Sequence, residues 1–143
     1  MDAAVGRGNR MTHDERQTIE IACERLIRQF ALLNDSHDHA ALAALFTEDG
    51  SFARPTNPDE PIEGRAAIHA FFRDRPARTT RHLMSNIVVD VTSATQACAH
   101  SYVLLITGER GEKMLVGDFH DVFAFDEGAW KFARRRGSLA FAQ

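Results

Sequence analysis

TRHLMSNIVVDVTSATQACAHSYVLLITGERGEKMLVGDFHDVFAFDEGAWKFARRRGSL, residues 80–139, is the stretch whose reading decides the fold. Four runs within it, Thr80 to Val91, Gln96 to Thr107, Lys113 to Phe125 and Ala129 to Leu139, are rich in β-branched and aromatic residues and read as strands. The spacers Thr92-Ser93-Ala94, Gly108-Glu109-Arg110-Gly111 and Asp126-Glu127-Gly128 are short enough to make each strand antiparallel to the next. A turn about Arg110 sets His100 opposite His120. A turn about Ser93 would set His100 opposite Asn86, leaving His82 about 13 Å further along its strand.

Upstream of this meander the period changes from two to between three and four. Thr12-His13-Asp14-Glu15 has the form of a capping box. Behind it, Ile19, Cys23, Leu26, Phe30 and Leu33 make one stripe of a long helix, with Glu20, Glu24, Arg25 and Arg28 toward water. The helix should fail at Asn34-Asp35-Ser36, whose side chains compete for backbone hydrogen bonds. Asp38 can cap a second helix, His39 to Phe46. Glu48-Asp49-Gly50 reads as a turn and Ser51 to Arg54 as a short strand. Three prolines make Pro55 to Glu63 a loop, and Gly64 opens a third helix with Ala67, Ile68, Phe71 and Phe72 on its apolar face, ended by Pro76. Helices followed by a strand meander predict an α+β fold, a curved antiparallel sheet with helices on one face. Residues 1–11 read as a flexible tail and residues 12–143 as a single domain.

Composition narrows the function classes. The chain has 143 residues, 44% of them hydrophobic, and a formal charge of -3, which argues against a nucleic-acid-binding surface. No apolar run approaches the roughly 18 residues of a membrane span and no signal-peptide core follows the start, so a cytoplasmic location is expected, without membrane contact. Cys23 and Cys98 lie in apolar segments and read as buried thiols of a reducing compartment. There is no phosphate loop, no dinucleotide fingerprint and no serine or cysteine in a nucleophile's context.

Several strings then acquire meaning together: Leu42-Ala43-Ala44-Leu45-Phe46-Thr47-Glu48-Asp49-Gly50, Gly64-Arg65-Ala66-Ala67-Ile68, Thr80-Arg81-His82 with Asn86, Gly117-Asp118-Phe119-His120-Asp121, and Trp130-Lys131-Phe132 followed by arginines. In this order they resemble the SnoaL-like branch of the nuclear-transport-factor-2-like superfamily, over roughly Thr12 to Gly137. The resemblance implies a cone-shaped, cystatin-like sheet with three helices on its concave side. It implies no single activity, because the superfamily includes dehydratases, dehydrohalogenases, polyketide cyclases, ketosteroid isomerases and plain binding modules.

The chemistry must therefore be argued from residues. A histidine backed by a carboxylate is a general base: the carboxylate orients the ring and stabilises the imidazolium formed on proton abstraction. Asp35, at the end of the first helix, and His82, on the first long strand, match the Asp–His dyad of scytalone-dehydratase-like and dehydrochlorinase-like members. The competing reading is that Asp35 only terminates a helix and His82 only bonds a neighbour on the sheet. Asn86 falls on His82's face by simple alternation and is a candidate for orienting a carbonyl. His100 is the natural counterpart of the second pocket histidine of the dehydratases, His120 is a further substrate-binding candidate, and Phe46, Phe52, Phe72 and Met84 are candidate apolar walls. A His82–His100–His120 metal site is not expected, because the 13 Å offset cannot meet zinc's ligand distance of about 2.1 Å. Asp121 and Arg134 read as a cross-strand ion pair on the face opposite His120, together with Phe119, Phe123 and Phe132. A β-bulge would exchange the faces beyond it.

The expected function is a cofactor-independent lyase, isomerase or cyclase, without metal, acting on a small apolar cyclic molecule. A homodimer through the outer side of the sheet is expected. The alternative is a non-catalytic ligand-binding or assembly module of the dioxygenase β-subunit kind. The dehydratase pocket tyrosines have no counterparts here, and the single Tyr, Tyr102, stands on a strand.

Overall fold

Thr12 opens the first helix by accepting a hydrogen bond from the Glu15 N–H through its hydroxyl (3.1 Å), which satisfies one orphan donor of the first turn. Helix α1 runs His13–Asp35 and α2 His39–Ala43, the latter capped by the Asp38 carboxylate on the Ala41 N–H. Strand β1 spans Phe46–Ala53 and β2 Ile62–Glu63, followed by helix α3 at Arg65–Asp74. Strands β3 (Arg81–Val91), β4 (Gln96–Thr107), β5 (Lys113–Asp126) and β6 (Ala129–Leu139) complete the chain. The computed structural model describes residues 10–143. Most of the expected N-terminal tail lies outside them, but Met11, assigned to that tail by sequence, packs against the core.

The fold is α+β: a curved six-stranded sheet in the order β2-β1-β6-β5-β4-β3 with three helices. The meander from β3 to β6 is antiparallel throughout. One pairing departs from the expected all-antiparallel sheet. β1 lies parallel to β6, so the sheet is mixed. Parallel neighbours need a long crossover, and here more than half of the domain, residues 54–128, intervenes, so no local signal in the sequence announces the pair. For the same reason Glu48-Asp49-Gly50 is not a turn. It runs inside β1 at a register shift between Phe46 and Ser51, and Gly50 lets the chains close up, since a Cβ there would lie 3.1 Å from the Phe132 carbonyl. Helix α2 accordingly ends at Ala43, before the Phe46 at which it was expected to stop.

Phe30, on the stripe read from the sequence, is the hub of the core. Its ring meets Phe46, Phe52, Phe72, Phe119 and Phe132 at centroid distances of 5.4–6.3 Å, joining α1, α3 and three strands. The buried stripe is wider than expected, adding Ile27, Ala31 and Asn34.

Two bulges decide which side chains face this core. In β3 the register shifts between Ser85 and Val88, with Asn86 at φ 52, a left-handed conformation that Asn tolerates better than most residues. In β6, Phe132 pairs Phe123 while Arg134 pairs Val122, leaving Ala133 as the extra residue. This second bulge corrects the expected ion pair. Arg134 turns outward and Arg135 turns inward, opposite Asp121.

Asp121 and Arg135 have fully buried side chains, with Arg135 Nε 3.3 Å from Asp121 Oδ1. Neither has a hydrogen-bond partner. The guanidinium lies over Phe119 (3.8 Å), Phe30 (4.5 Å) and Phe132 (5.0 Å). Burial pushes the Asp121 carboxyl up to about 6 against the pull of Arg135 and lowers Arg135. Removing one partner of such a pair strands the other charge in a low dielectric, at about 3–5 kcal/mol. Asp121→Ala should lose stability on that scale in urea denaturation, while the double variant Asp121→Leu/Arg135→Met should recover most of it. Equal losses in the two would mean that packing, not charge, holds this position.

Candidate functional site

Asp35 is the last residue of α1, where the chain leaves the helix through Ser36 and a left-handed His37 (φ 61). Its carboxylate turns to the start of β3 and accepts three hydrogen bonds. Thr80 Oγ1 donates at 2.8 Å to Oδ1, the His82 backbone N–H donates at 3.0 Å to Oδ2, and the His82 ring places Nδ1 2.6 Å from Oδ1. An ionised carboxylate only accepts, so Nδ1 carries the proton and Nε2 is the nitrogen left to the cavity. Both side chains are largely enclosed, 15% exposed for His82 and 11% for Asp35.

His82 lines both lobes of an open cavity inside the cone. The outer lobe, of about 280 Å³, is polar and bounded by Asn34, His37, His39, Arg54, Arg75, Arg78 and Thr80, with Phe72 and Leu105. The inner lobe, of about 90 Å³, is apolar and bounded mainly by Phe30, Phe52, Phe72, Val103, Leu105, Leu115 and Phe119. Strand β6 shapes this wall by what it lacks: a Cβ on Gly137 would lie 2.6 Å from Pro55, so only glycine lets the loop after Arg54 rest on the sheet.

Burial lowers the His82 ring below the ordinary histidine value of 6.5. Asp35 raises it through hydrogen bond and charge, and Arg135 and Arg75 lower it again. At neutral pH the ring is therefore a neutral base with a fixed tautomer, the state proton abstraction needs.

Residues 15–136 match the sequence profile of the SnoaL-like domain. The chain belongs to the SnoaL-like family. No curated protein matches it. Among solved structures, it is similar to a candidate scytalone dehydratase from Novosphingobium aromaticivorans, at 28% identity and TM-score 0.76 over 92% of this chain and 94% of that one. A nuclear-transport-factor-2-like protein of cystatin-like fold from the same organism aligns at 25% identity and TM-score 0.74, over 85% and 82% of the two chains. A hexachlorocyclohexane dehydrochlorinase shares the fold at 16% identity and TM-score 0.80, over 91% and 90%.

The SnoaL-like cone sorts the candidates named from sequence. Asp35 and His82 come together, and Phe52 and Phe72 line the cavity with His82. Phe46 does not: it is wholly buried in the aromatic core beside Phe132. Met84 packs against the core without bounding the cavity. Asn86 is removed by the β3 bulge, which breaks the alternation that would have aimed it at His82 and leaves it exposed. His100 pairs His120, as the turn about Arg110 requires, but opposite Val88 on β3 rather than Asn86. Both histidines are exposed on the convex face, since Phe119 and Asp121 take the concave one, so neither is a pocket residue.

On that outer face His100 Nε2 lies 2.5 Å from Asp118 Oδ2, and the His100 and His120 rings stack at 4.4 Å. Their ligand atoms, within 4.8 Å of one another, make this the group among the described residues that could take a metal ion, remote from the cavity. Cys23 is buried, and burial pushes its thiol up to about 12. Cys98 is only half-buried, where full burial was expected. Both thiols are free. No helix among the described residues is long and apolar enough to cross a membrane.

The arginines and Asn34 were missed because nothing in their local spacing marks them. Arg54 follows a strand, Arg75 and Arg78 flank Pro76, and only the fold gathers them. The run Arg73 to Arg78, with three arginines and a single acid, was the available signal.

Since the folded value of His82 lies below the unfolded one, the stability it contributes is whole above pH 6.5. That stability is lost as pH falls through the lowered folded value. Ring ¹⁵N NMR should show a protonated Nδ1 in the neutral form and a titration midpoint below 6.5. His82→Gln should flatten the acid side of the stability profile. A midpoint at or above 6.5 would show that Asp35 outweighs burial.

Proposed function

We propose that the protein is a cofactor-independent lyase, isomerase or cyclase in which His82, held by Asp35, abstracts a proton from a small, largely apolar cyclic substrate. The observation that carries this reading is the 2.6 Å contact between Nδ1 of the cavity-lining His82 and Asp35, with the ring's pKa lowered. Nε2 takes a proton from carbon α to a carbonyl or β to a leaving group. The freed electron pair either forms a double bond as the leaving group departs or makes an enolate. In the second case the imidazolium can return the proton to another carbon, completing an isomerisation. Asp35 offsets the charge that appears on the ring and keeps the tautomer. Similarity to a candidate scytalone dehydratase supports elimination chemistry.

A ligand-binding or assembly module is the second reading. It is favoured by one observation: the single tyrosine, Tyr102, lies 45% exposed on the convex side, so no phenol reaches the cavity to protonate a departing hydroxyl. Turnover separates the two readings. Across a panel of small cyclic ketones, β-hydroxy ketones and halides, His82→Ala and Asp35→Asn should each lose about 10²–10⁴ of the wild-type kcat/KM. The acid limb of the wild-type pH profile should fall below 6.5. Wild-type and His82→Ala rates that agree on every compound would leave the binding reading.

We also propose that two copies associate through the convex face. Leu83, Val88, Tyr102, Met114 and Val116 stand exposed there, around the His100–Asp118 pair. A two-fold interface needs a self-complementary patch, and apolar positions surrounding the hydrogen-bonded His100–Asp118 pair meet that need. Sedimentation should give a dimer for the wild type and a monomer for Met114→Glu/Val116→Glu. An unchanged dimer would place the interface elsewhere.

A further inference from the structure

The charge at the cavity mouth is unbalanced. Arg54, Arg75 and Arg78 all line the outer lobe that holds His82. None of the three has a carboxylate within ion-pair distance among the described residues. Arg75 is partly enclosed, and burial together with Arg78 and Arg54 lowers its affinity for a proton. Asp35, behind His82, already accepts three hydrogen bonds. Instead of ion pairs, two of the guanidinium groups rest on aromatic faces: Arg54 is 5.0 Å from the Phe71 centroid, and Arg75 is 4.6 Å from Phe72 and 5.3 Å from Phe71. Arg75 adds a hydrogen bond from Nη2 to Asn34 Oδ1 at 3.0 Å. These contacts leave most of the N–H donors of Arg54 and Arg75 free.

We infer that the substrate of this pocket is an anion, an apolar ring bearing a carboxylate. This deepens the proposal for the same cavity and rests on it. The carboxylate sits in the outer lobe against the arginines, where planar N–H forks suit its two oxygens. The ring reaches past Phe72 and Leu105 toward the apolar inner lobe, which passes its carbon skeleton beside His82. Like charges gathered at a half-enclosed mouth cost stability in the empty protein, and a ligand carboxylate relieves that cost. The mouth therefore selects for charge, the interior for shape, and the two recognitions act on opposite ends of one molecule.

Isothermal titration calorimetry tests this with benzoate, cyclohexanecarboxylate and 2-naphthoate, each against its uncharged amide, and with inorganic phosphate. At least one carboxylate should bind about tenfold or more tightly than its amide, a difference that shrinks as salt is raised. Arg54→Gln and Arg78→Gln, both at positions with solvent contact, should each erase most of that preference while thermal unfolding shows them folded. Phosphate should compete weakly, because it leaves the inner lobe empty. His82→Gln should keep the carboxylate preference, so a failure of the general-base reading and a failure of this one are seen separately. Equal binding of acid and amide, no binding by any carboxylate, an unchanged preference in both arginine variants, or phosphate competing as well as the ring acids would each overturn the assignment.

Discussion

Three donors converge on the Asp35 carboxylate, and the cavity depends on that convergence. Thr80 Oγ1, the His82 backbone and the His82 ring all belong to the start of β3, while Asp35 ends α1. At the other end of the pair, Arg16 on the first turns of α1 donates to the carbonyl of Val91, the last residue of β3 (2.9 Å). Helix and strand are thus pinned at both ends. The lengths agree: about 28 Å of helix from Arg16 to Asp35, at 1.5 Å per residue, against about 30 Å of strand from His82 to Val91, at 3.3 Å. The orientation of the His82 ring and the frame that positions it are made by the same contact.

What lies between the pins is an aromatic core centred on Phe30, with one buried ion pair set into it. Asp121 and Arg135 contribute little direct stability there, since desolvation offsets their attraction. Their position still matters to the site, because Arg135 lies among the charges that keep the His82 ring neutral. A lone histidine near a carboxylate would ordinarily rise in pKa. Here burial and two arginines outweigh Asp35, and the ring is left oriented yet unprotonated. That combination suits a base working near neutral pH.

Sequence reading reached the three helices and the four-strand meander, but it missed β2, inside a stretch read as loop, and the first half of β1. The bounds of β4 and β6 were read as they stand, and the turn about Arg110 pairs His100 with His120 as expected, because short hairpins set register locally. The Asp35 and His82 positions were legible through their strings, one at a helix end and the other opening a strand. No local signal announced their contact across 47 residues, which was expected only through the resemblance to an Asp–His dyad. The bulges were the larger obstacle. An extra residue at Asn86 or Ala133 leaves no mark that alternation can detect, yet it reverses every side chain beyond it. That single effect took Asn86 from the pocket and replaced Arg134 by Arg135 as the partner of Asp121.

By itself the sequence determined the three helices, the four-strand meander and the SnoaL-like family, and it singled out Asp35 and His82 as candidates, because periodicity, caps, turn spacers and short motifs are local properties of the chain. Only the tertiary structure decided that β1 lies parallel to β6, that the His100–Asp118–His120 group faces outward, and that Arg54, Arg75 and Arg78 share one mouth. Those facts follow from sheet curvature, bulge position and a crossover spanning most of the domain, which bring together residues with no neighbouring signal. Charge shows the difference most plainly. The whole chain is slightly acidic, with a formal charge of -3, while the entrance to its cavity is basic, because folding sorts charges by place and not by sum.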